Sequence, residues 1–364
     1  MKILFCIGSM SKGGAERVIS NLTNHLADKN DVYIVATKIK NIAYTLNKNI
    51  RIMTLENRED KKQNFIIKNF KRIKALNKYI EEIRPDIIIS FLPEPSYRIL
   101  LLKILKRKLK VIVSVRNDPK IEYKTRLNKF VMKILYPLAN GFVFQTQEAK
   151  EYFSKKIQNK STIIPNPINK EFIVTPYDGK RDKTIVTVGR LEEQKNHKLL
   201  IEAFSNIEKD YPEYKLLIYG SGSKEEELKQ YVKGIGLIDK VEFKGNVNNV
   251  KEEIYKSGMF ILSSNYEGMP NALIEAMALG LPVISTDCPC GGPRFLIENS
   301  KNGILVPVGK KQEMTEAIKY VLENENESKK MGEQANTIID RLNPTKIYSM
   351  WEDYILKILK QKDK

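Results

Sequence analysis

Two α/β units, each a doubly wound parallel sheet, are what this sequence predicts. Three observations carry that expectation. Apolar runs of strand length alternate with amphipathic helical segments along the chain, and its 364 residues exceed what one hydrophobic core usually serves. The alternation also breaks once, at Pro165-Asn166-Pro167 and a polar stretch ending at Asp182 that contains Pro176, Asp178 and Gly179. The units are therefore expected over residues 1–170 and 183–345, with 171–182 as linker and 346–364 as a C-terminal helix packing back on the first unit. Strands separated by helices need right-handed crossovers, which makes both sheets parallel. Ligands in such sheets bind beyond the carboxyl ends of strands, so the two units are expected to face each other across a cleft.

Taken in order, residues 2–7 form the first expected strand. It leads through Gly8-Ser9-Met10-Ser11-Lys12-Gly13-Gly14 into a helix with Val18, Ile19, Leu22 and Leu26 on one face. Residues 31–36, 86–90, 110–115, 141–145 and 162–164 read as further short buried strands between helices. In the second half, strands are expected at 184–188, 215–219, 240–243, 259–262, 283–285 and 303–306. The run at 259–262 is followed by a tight loop and a helix whose apolar face holds Leu273, Ile274, Met277 and Ala278, with Gly280 as its stop. Pro270 suits the first helical position, because its missing N–H would have no partner there.

Composition excludes several classes. With 42% hydrophobic and 29% charged residues, the chain is that of a soluble globular protein rather than a disordered one. No apolar run approaches the roughly 20 residues of a membrane span, and the run at residues 3–7 is too short for a signal-peptide core, so a cytoplasmic chain is expected. Cys6, Cys288 and Cys290 are an odd number in a large chain, which argues against a disulfide framework, and Cys288-Pro289-Cys290 lacks the second ligand pair of a zinc site.

The net charge of +18 is unevenly placed. Residues 1–170 hold 34 lysines and arginines against 14 acids, whereas 171–364 hold 28 against 30. The basic run is densest over 61–133. Within it Lys68, Lys71, Arg72, Lys74 and Lys78 alternate with Ile66, Phe70, Ile73, Leu76 and Ile80 at helical spacing. Such a helix suits an anionic leaflet, where each nearby Lys or Arg adds about 1 kcal/mol; alternatively its apolar face is ordinary core under a solvated basic face. Nucleic acid would attract the same charge, but no recognition-helix, zinc-finger or RNA-binding signature is present, and no nucleic-acid partner is expected.

The chemistry concentrates at strand ends. Residues 265–275 read Asn-Tyr-Glu-Gly-Met-Pro-Asn-Ala-Leu-Ile-Glu, with Glu267 in the loop and Glu275 about a turn inside the helix. The N–H groups of Asn271, Ala272 and Leu273 would point beyond the strand, where a helix N-terminus favours a phosphate. That places a phosphate between a carboxylate at a transferred group and one gripping a hydroxylated handle; the plain alternative is one acid helping the helix dipole and another on a solvated face. Three further strand-end loops match. Gly13-Gly14 permits close backbone approach to a phosphate, although turn glycines would look the same and the G-x-G-x-x-G spacing is missing. Gly189-Arg190-Leu191-Glu192-Glu193-Gln194-Lys195-Asn196 brings two cations that suit a diphosphate, and Gly220-Ser221-Gly222 is another such turn. No D-x-D pair is present to carry a metal, so neutralisation would fall to Arg190, Lys195 and helix dipoles, with no metal or cofactor needed.

Together, Gly13-Gly14-Ala15-Glu16, Ile164-Pro165-Asn166, Gly189-Arg190-Leu191 with Gln194-Lys195-Asn196, Gly220-Ser221-Gly222, Glu267-Gly268 with Glu275, and Gly303-Ile304-Leu305-Val306 resemble glycosyltransferase family 4 over nearly the whole chain. The resemblance implies a GT-B fold of two Rossmann-like domains, a nucleotide-sugar donor such as a UDP-sugar, and metal-free retention of anomeric configuration. It implies that Arg190 and Lys195 hold the donor diphosphate, Glu275 the ribose hydroxyls and Glu267 the transferred sugar. Gly13 and Gly14, Gly189, Gly220 and the backbone from Gly268 through Met269, Pro270, Asn271 and Ala272 would line the phosphates and sugar. The backbone around Gly245, Asn246 and Val247 would meet the base. The nearest likeness is to bacterial enzymes extending capsular or lipid-linked saccharides with GalNAc, galactose or GlcNAc, which implies a lipid-linked or polysaccharide acceptor and an anionic inner membrane face as partners. One departure stands out. Where many relatives carry a histidine after the strand at 111–115, this chain has Arg116-Asn117-Asp118, and neither His25 nor His197 fits that loop. Arg116 is expected to touch sugar or acceptor instead.

Retention follows physically if the leaving diphosphate stays on the face of the incoming hydroxyl and helps remove its proton. The protein's part is then electrostatic stabilisation of that phosphate and of an oxocarbenium-like sugar. An epimerase-like nucleotide-sugar enzyme on the same architecture and a basic, non-catalytic scaffold stay open at this stage.

Overall fold

A computed structural model of the chain describes residues 1–56 and 64–361. Lys61, the first residue of the basic run, and the last three residues of the expected C-terminal helix lie outside the described residues. The chain divides into two units, one of Met1–Asn166 with Thr345–Lys364 and one of Pro167–Pro344. The change of unit thus falls at Asn166 rather than at 170. The stretch expected as linker is tied to the second unit: Arg181 donates to the Ser257 carbonyl at 3.2 Å and the Gly280 carbonyl at 2.7 Å, and Tyr255 donates to the Thr175 carbonyl at 2.6 Å.

The first unit is built on seven parallel strands: β1 (Lys2–Ile7), β2 (Asp31–Ala36), β3 (Arg51–Thr54), β4 (Ile87–Phe91), β5 (Val111–Ser114), β6 (Gly141–Phe144) and β7 (Ser161–Ile163), in the order β3-β2-β1-β4-β5-β6-β7. The central strands β4 and β5 are buried throughout and mostly apolar because helices cover both faces. Helix α1 (Gly14–Leu26) follows β1 and steps leftward to β2. Helices α2 (Phe65–Ile83), α3 (Pro93–Leu105) and α4 (Arg126–Leu135) follow β3, β4 and β5 and step the other way. Right-handed crossovers therefore put α2, α3 and α4 on one face of the sheet and α1 on the other. Asn64 caps α2 by accepting from the Ile66 N–H, and Arg84 ends it in the left-handed region. Leu76, Ile80 and Ile83 of α2 are buried, so the second half of its apolar face is domain core, while Ile66 and Phe70 remain exposed.

The second unit carries six parallel strands, β8 (Thr184–Val188), β9 (Lys215–Tyr219), β10 (Val241–Gly245), β11 (Met259–Leu262), β12 (Val283–Thr286) and β13 (Ile304–Val306), in the order β10-β9-β8-β11-β12-β13. Helix α5 (His197–Ser205) follows β8 and helix α6 (Asn271–Ala278) follows β11. Chain direction across the sheet reverses between β8 and β11, which pair Ile185 with Met259. Pro270 is the cap residue of α6 rather than its first helical residue. Its ψ of 106° is extended and its carbonyl accepts from the Ile274 N–H at 3.2 Å. The strand β3 was not expected from sequence.

The C-terminal helix α7 (Pro344–Leu359) belongs from Thr345 onward to the first unit. Trp351 is buried and stacks on Phe91 at 5.9 Å, and His25 of α1 stacks on Tyr348 at 4.7 Å. The Tyr354 hydroxyl donates to the Lys160 carbonyl at 2.5 Å and accepts from the Phe142 N–H at 2.9 Å, so it ties α7 to β6 and the turn before β7. Tyr354→Phe removes both hydrogen bonds and should destabilise the first unit by roughly 1–3 kcal/mol. The check is chemical denaturation followed by the fluorescence of Trp351, the chain's single tryptophan.

Candidate active site

In a doubly wound sheet the crevice for a ligand opens where the strand order reverses. In the second unit that is the gap between the loops after β8 and β11, and the sequence places Arg190, Lys195 and Glu267 there. These two loops are stitched together. The Asn265 N–H donates to the Gln194 carbonyl at 2.8 Å, the Asn265 side chain donates to the Glu193 carbonyl at 2.9 Å, and Asn196 donates to the Asn265 side-chain oxygen at 3.0 Å. Asn196 also sits in the left-handed region at φ 44° and caps α5 by accepting from the Leu199 N–H. One residue thus ends the loop, starts the helix and reaches across to the next strand's loop.

The centre of this arrangement is an ion pair. Lys195 Nζ lies 2.5 Å from Glu267 Oε1, and the side chains are only 14% and 8% exposed. Glu267 also accepts from Ser264 Oγ at 2.7 Å and, through Oε2, from Gln194 Nε2 at 3.4 Å. Ser264 is positioned in turn by Thr286 of β12, whose hydroxyl donates to its carbonyl at 2.6 Å. Desolvating both charges is tolerable because they face one another and the carboxylate also accepts from Ser264 and Gln194. Glu267 is therefore a fixed carboxylate rather than a swinging one. Arg190 is exposed and bonds Gln194 at 3.2 Å, which leaves its guanidinium at the surface of the crevice.

Backbone contacts extend the site toward β10. The Leu191 N–H donates to the Ser221 carbonyl at 3.0 Å, the Gly220 N–H to the Gly245 carbonyl at 2.7 Å, and Asn246 Nδ2 to Ser221 Oγ at 2.6 Å. At Gly220 a Cβ would come within 2.0 Å of the Gly189 carbonyl oxygen, and at Gly222 within 2.3 Å of that of Leu191. These glycines are thus required by the packing of one loop on another, and Gly245, at φ 64°, lies in open space. Val247 continues the same loop.

At α6, Gly268, Met269 and Pro270 are buried while Asn271 and Ala272 are partly exposed at the helix start, where the first N–H groups lack helical partners. Glu275 is buried one turn further in. A feature the sequence reading missed lies at Gly268: Gly292 packs so closely on it that a Cβ would meet the Gly268 carbonyl oxygen at 1.9 Å. Beyond β11, β12 and β13 opens a hollow of about 690 Å³, within the size range of ligand pockets, lined by Asn265, Asp287, Pro289, Arg294 and Pro307 among others. Arg294 and Asp287 pair at 2.6 Å on its rim. The glycine pair 291–292 after a strand end was the available signal.

The remaining candidates belong to the first unit. The N–H of Gly13 donates to the Tyr44 hydroxyl at 3.1 Å and its carbonyl accepts from the same hydroxyl at 2.9 Å, with Gly14 opening α1. Arg116 is buried, with its guanidinium bonded to Asn166 and 5.1 Å from the Phe91 ring centroid. Burial lowers its pKa to about 9, so it stays charged at neutral pH. Among the described residues no group of three His, Cys, Asp or Glu side chains is placed to hold a metal ion.

Two Rossmann-like units of this kind define the GT-B class of glycosyltransferases. Residues 12–172 match the family described as Glycosyltransferase Family 4, and residues 170–337 match Glycosyl transferases group 1. The chain is 30% identical over 363 residues to the N-acetylgalactosamine-N,N'-diacetylbacillosaminyl-diphospho-undecaprenol 4-alpha-N-acetylgalactosaminyltransferase of Campylobacter jejuni, covering 95% of this chain and 97% of that one. It is 27% identical, over 98% of this chain and 99% of the other, to that organism's GalNAc-alpha-(1->4)-GalNAc-alpha-(1->3)-diNAcBac-PP-undecaprenol alpha-1,4-N-acetyl-D-galactosaminyltransferase. In fold it is similar to Anabaena HepE in complex with UDP, with a TM-score of 0.82 and 17% identity, covering 98% of this chain and all of that one. The chain belongs to glycosyltransferase family 4.

Sequence reasoning excluded His197 from the loop after the strand at 111–115 but did not read its role; it stands directly after the Lys195-Asn196 pair at the start of α5. It is buried, with Nε2 3.2 Å from the Arg190 carbonyl; since a carbonyl only accepts, Nε2 carries the proton. Burial is the main cause that lowers its pKa from the ordinary 6.5 to about 4. A proton therefore prefers the unfolded chain, and the stability this neutral ring preserves is intact above pH 6.5 and lost as pH falls toward 4. Between pH 7 and 4, wild type should lose on the order of 3 kcal/mol more than His197→Gln. Urea denaturation followed by far-ultraviolet circular dichroism at both pH values checks this.

Proposed function

We propose that this chain transfers a sugar from a UDP-sugar, with retention and without a metal ion, to a lipid-linked or polysaccharide acceptor in cell-surface glycan synthesis. GalNAc, galactose and GlcNAc are the sugars to test first. The observation that carries the reading is the buried Lys195–Glu267 pair at the switch point of the second unit, beside the exposed Arg190 and the start of α6. Family membership supports sugar transfer. The names of the two Campylobacter relatives, both acting on undecaprenyl diphosphate saccharides, support the acceptor class, and the UDP complex of HepE supports the donor.

In this reading Arg190 meets the donor diphosphate directly, joined by Lys195 and by the N–H groups of Asn271 and Ala272 at the α6 start. A charge-assisted contact of that sort is worth roughly 1.5–3 kcal/mol. Glu275 takes the ribose hydroxyls. Glu267, held by Lys195, Ser264 and Gln194, positions the sugar and stabilises positive charge as the diphosphate departs. Gly13 and Gly14 lie along the phosphates, Gly189 and Gly220 hold the Arg190 loop, and Gly245 to Val247 face the base. Arg116, a buried guanidinium, takes an anionic or hydroxyl group of sugar or acceptor. The acceptor is met at the inner face of the plasma membrane, a setting supported by the charge excess of residues 1–170.

Radiolabelled UDP-sugars offered with polyprenyl-diphosphate saccharides test the reaction, and transfer should survive EDTA. Complete loss with chelator, restored by manganese, would contradict the metal-free site; sugar release or isomerisation without transfer would point to an epimerase-like enzyme. The two glutamates should fail differently. Glu275→Gln should mainly raise the donor KM, and Glu267→Gln should mainly lower kcat. Steady-state kinetics decide, and equal effects on both parameters in both variants would overturn this division of roles.

A further inference from the structure

Helix α4 is amphipathic in an unusual sense, because it has two apolar faces. Met132 and Leu135 are buried against the unit, whereas Leu127, Phe130 and Ile134 are 69%, 62% and 52% exposed. Their i, i+3, i+7 spacing sets those three on one outward stripe. Arg126, Lys129 and Lys133, all exposed, flank that stripe, and α4 carries no acidic residue. The neighbouring helix α3 repeats the pattern. Tyr97 of α3 donates to the Asn128 carbonyl of α4 at 3.3 Å, which aligns the two, and Leu101, Ile104 and Leu105 of α3 are 40%, 49% and 84% exposed. Across residues 101–138 there are 11 basic residues and two acids, of which Asp118 is buried.

A contiguous outward apolar patch on a soluble unit marks a binding surface. A rim of one charge sign selects its occupant. Lysines and arginines beside shallow aliphatic and aromatic side chains fit a leaflet of anionic lipid, with phosphates for the cations and the acyl boundary for the apolar stripe. Helix α2, the docking element expected from sequence, also exposes Ile66 and Phe70, but two of its lysines already face carboxylates. Lys68 is paired with Glu56 at 3.3 Å and Lys78 with Glu82 at 3.7 Å.

We propose that α3 and α4 of the first unit form a docking surface that seats Leu127, Phe130 and Ile134 in the interfacial zone of an anionic phospholipid leaflet. The proposal deepens the membrane-associated reading above and rests on it for its purpose. Its observations are independent of the transfer site.

The test is sedimentation with phosphatidylglycerol–phosphatidylcholine vesicles. Wild type should bind these and bind at least about tenfold less in 1 M salt or to pure phosphatidylcholine, since the Debye length shrinks to about 3 Å. Leu127→Ser/Phe130→Ser/Ile134→Ser and Arg126→Gln/Lys129→Gln/Lys133→Gln should each weaken binding about tenfold or more with unchanged thermal unfolding, whereas neutralising Lys68, Lys71, Lys74 and Lys78 should change it less than about threefold. Undiminished binding by the serine variant, equal binding to both vesicle types, or a wild-type dimer on gel filtration that the serine variant dissolves would overturn the proposal. Transfer to a soluble acceptor analogue separates the two readings: transfer retained while vesicle binding fails to follow this pattern sinks the docking surface alone. Absence of transfer to every acceptor, with vesicle binding as expected, sinks the reaction and leaves the surface standing.

Discussion

The second unit is organised around keeping two opposite charges out of water together. Effective desolvation of an ion costs several kcal/mol in a protein, and removing one partner of a buried pair typically costs 3–5 kcal/mol. Lys195 and Glu267 therefore cannot be described separately. Ser264 and Gln194 complete the carboxylate's hydrogen bonds, Thr286 fixes Ser264, and Asn196 and Asn265 hold the two loops in register. Each of these polar residues lies at the carboxyl end of a parallel strand or in the loop that follows it. The sheet order brings β8 beside β11, and the pair converts that adjacency into a defined geometry.

For the diphosphate site proposed above, this pairing changes the electrostatics. Two loose cations would attract any anion, but here one is already neutralised by Glu267. Net positive potential is left to Arg190 and to the N–H groups at the α6 start, and in the proposed reaction the Lys195 ammonium is shared between carboxylate and ligand. In that proposal the sharing orients a carboxylate toward developing positive charge, and no metal ion is required. The neutral His197 beneath the Arg190 carbonyl adds no competing charge there. The first unit is built on different terms. Its excess charge and its outward apolar side chains gather on the face that carries α2, α3 and α4, while α7 closes the opposite face through Trp351 and Tyr354.

Much of this was legible in the sequence because parallel strands buried on both faces are continuous apolar runs, and glycine or asparagine turns mark their ends. Twelve strands were visible in that way. The edge strand β3 was not, since Arg51–Thr54 pairs only with β2, is partly exposed and mixes polar with apolar residues. Pro270 was misplaced by one position because a proline satisfies the missing-N–H argument equally well as a cap. The polar stretch 171–182 looked like a linker although Arg181 anchors it by three carbonyls, a pairing no local pattern reveals. The residue types at the candidate site were readable, but their coupling was not: Lys195 and Glu267 are 72 positions apart. The burial of His197 and the Gly292–Gly268 approach were invisible for the same reason, being consequences of packing rather than of spacing.

A double-mutant cycle on Lys195→Met and Glu267→Gln, read as UDP affinity by calorimetry and as kcat/KM for sugar transfer, tests the central claim most directly. If the two act as one unit, the double variant should be little worse than the more damaged single variant, giving a coupling of about 1 kcal/mol or more. Effects that simply add, within about 0.5 kcal/mol, would contradict the account and return Lys195 and Glu267 to independent roles.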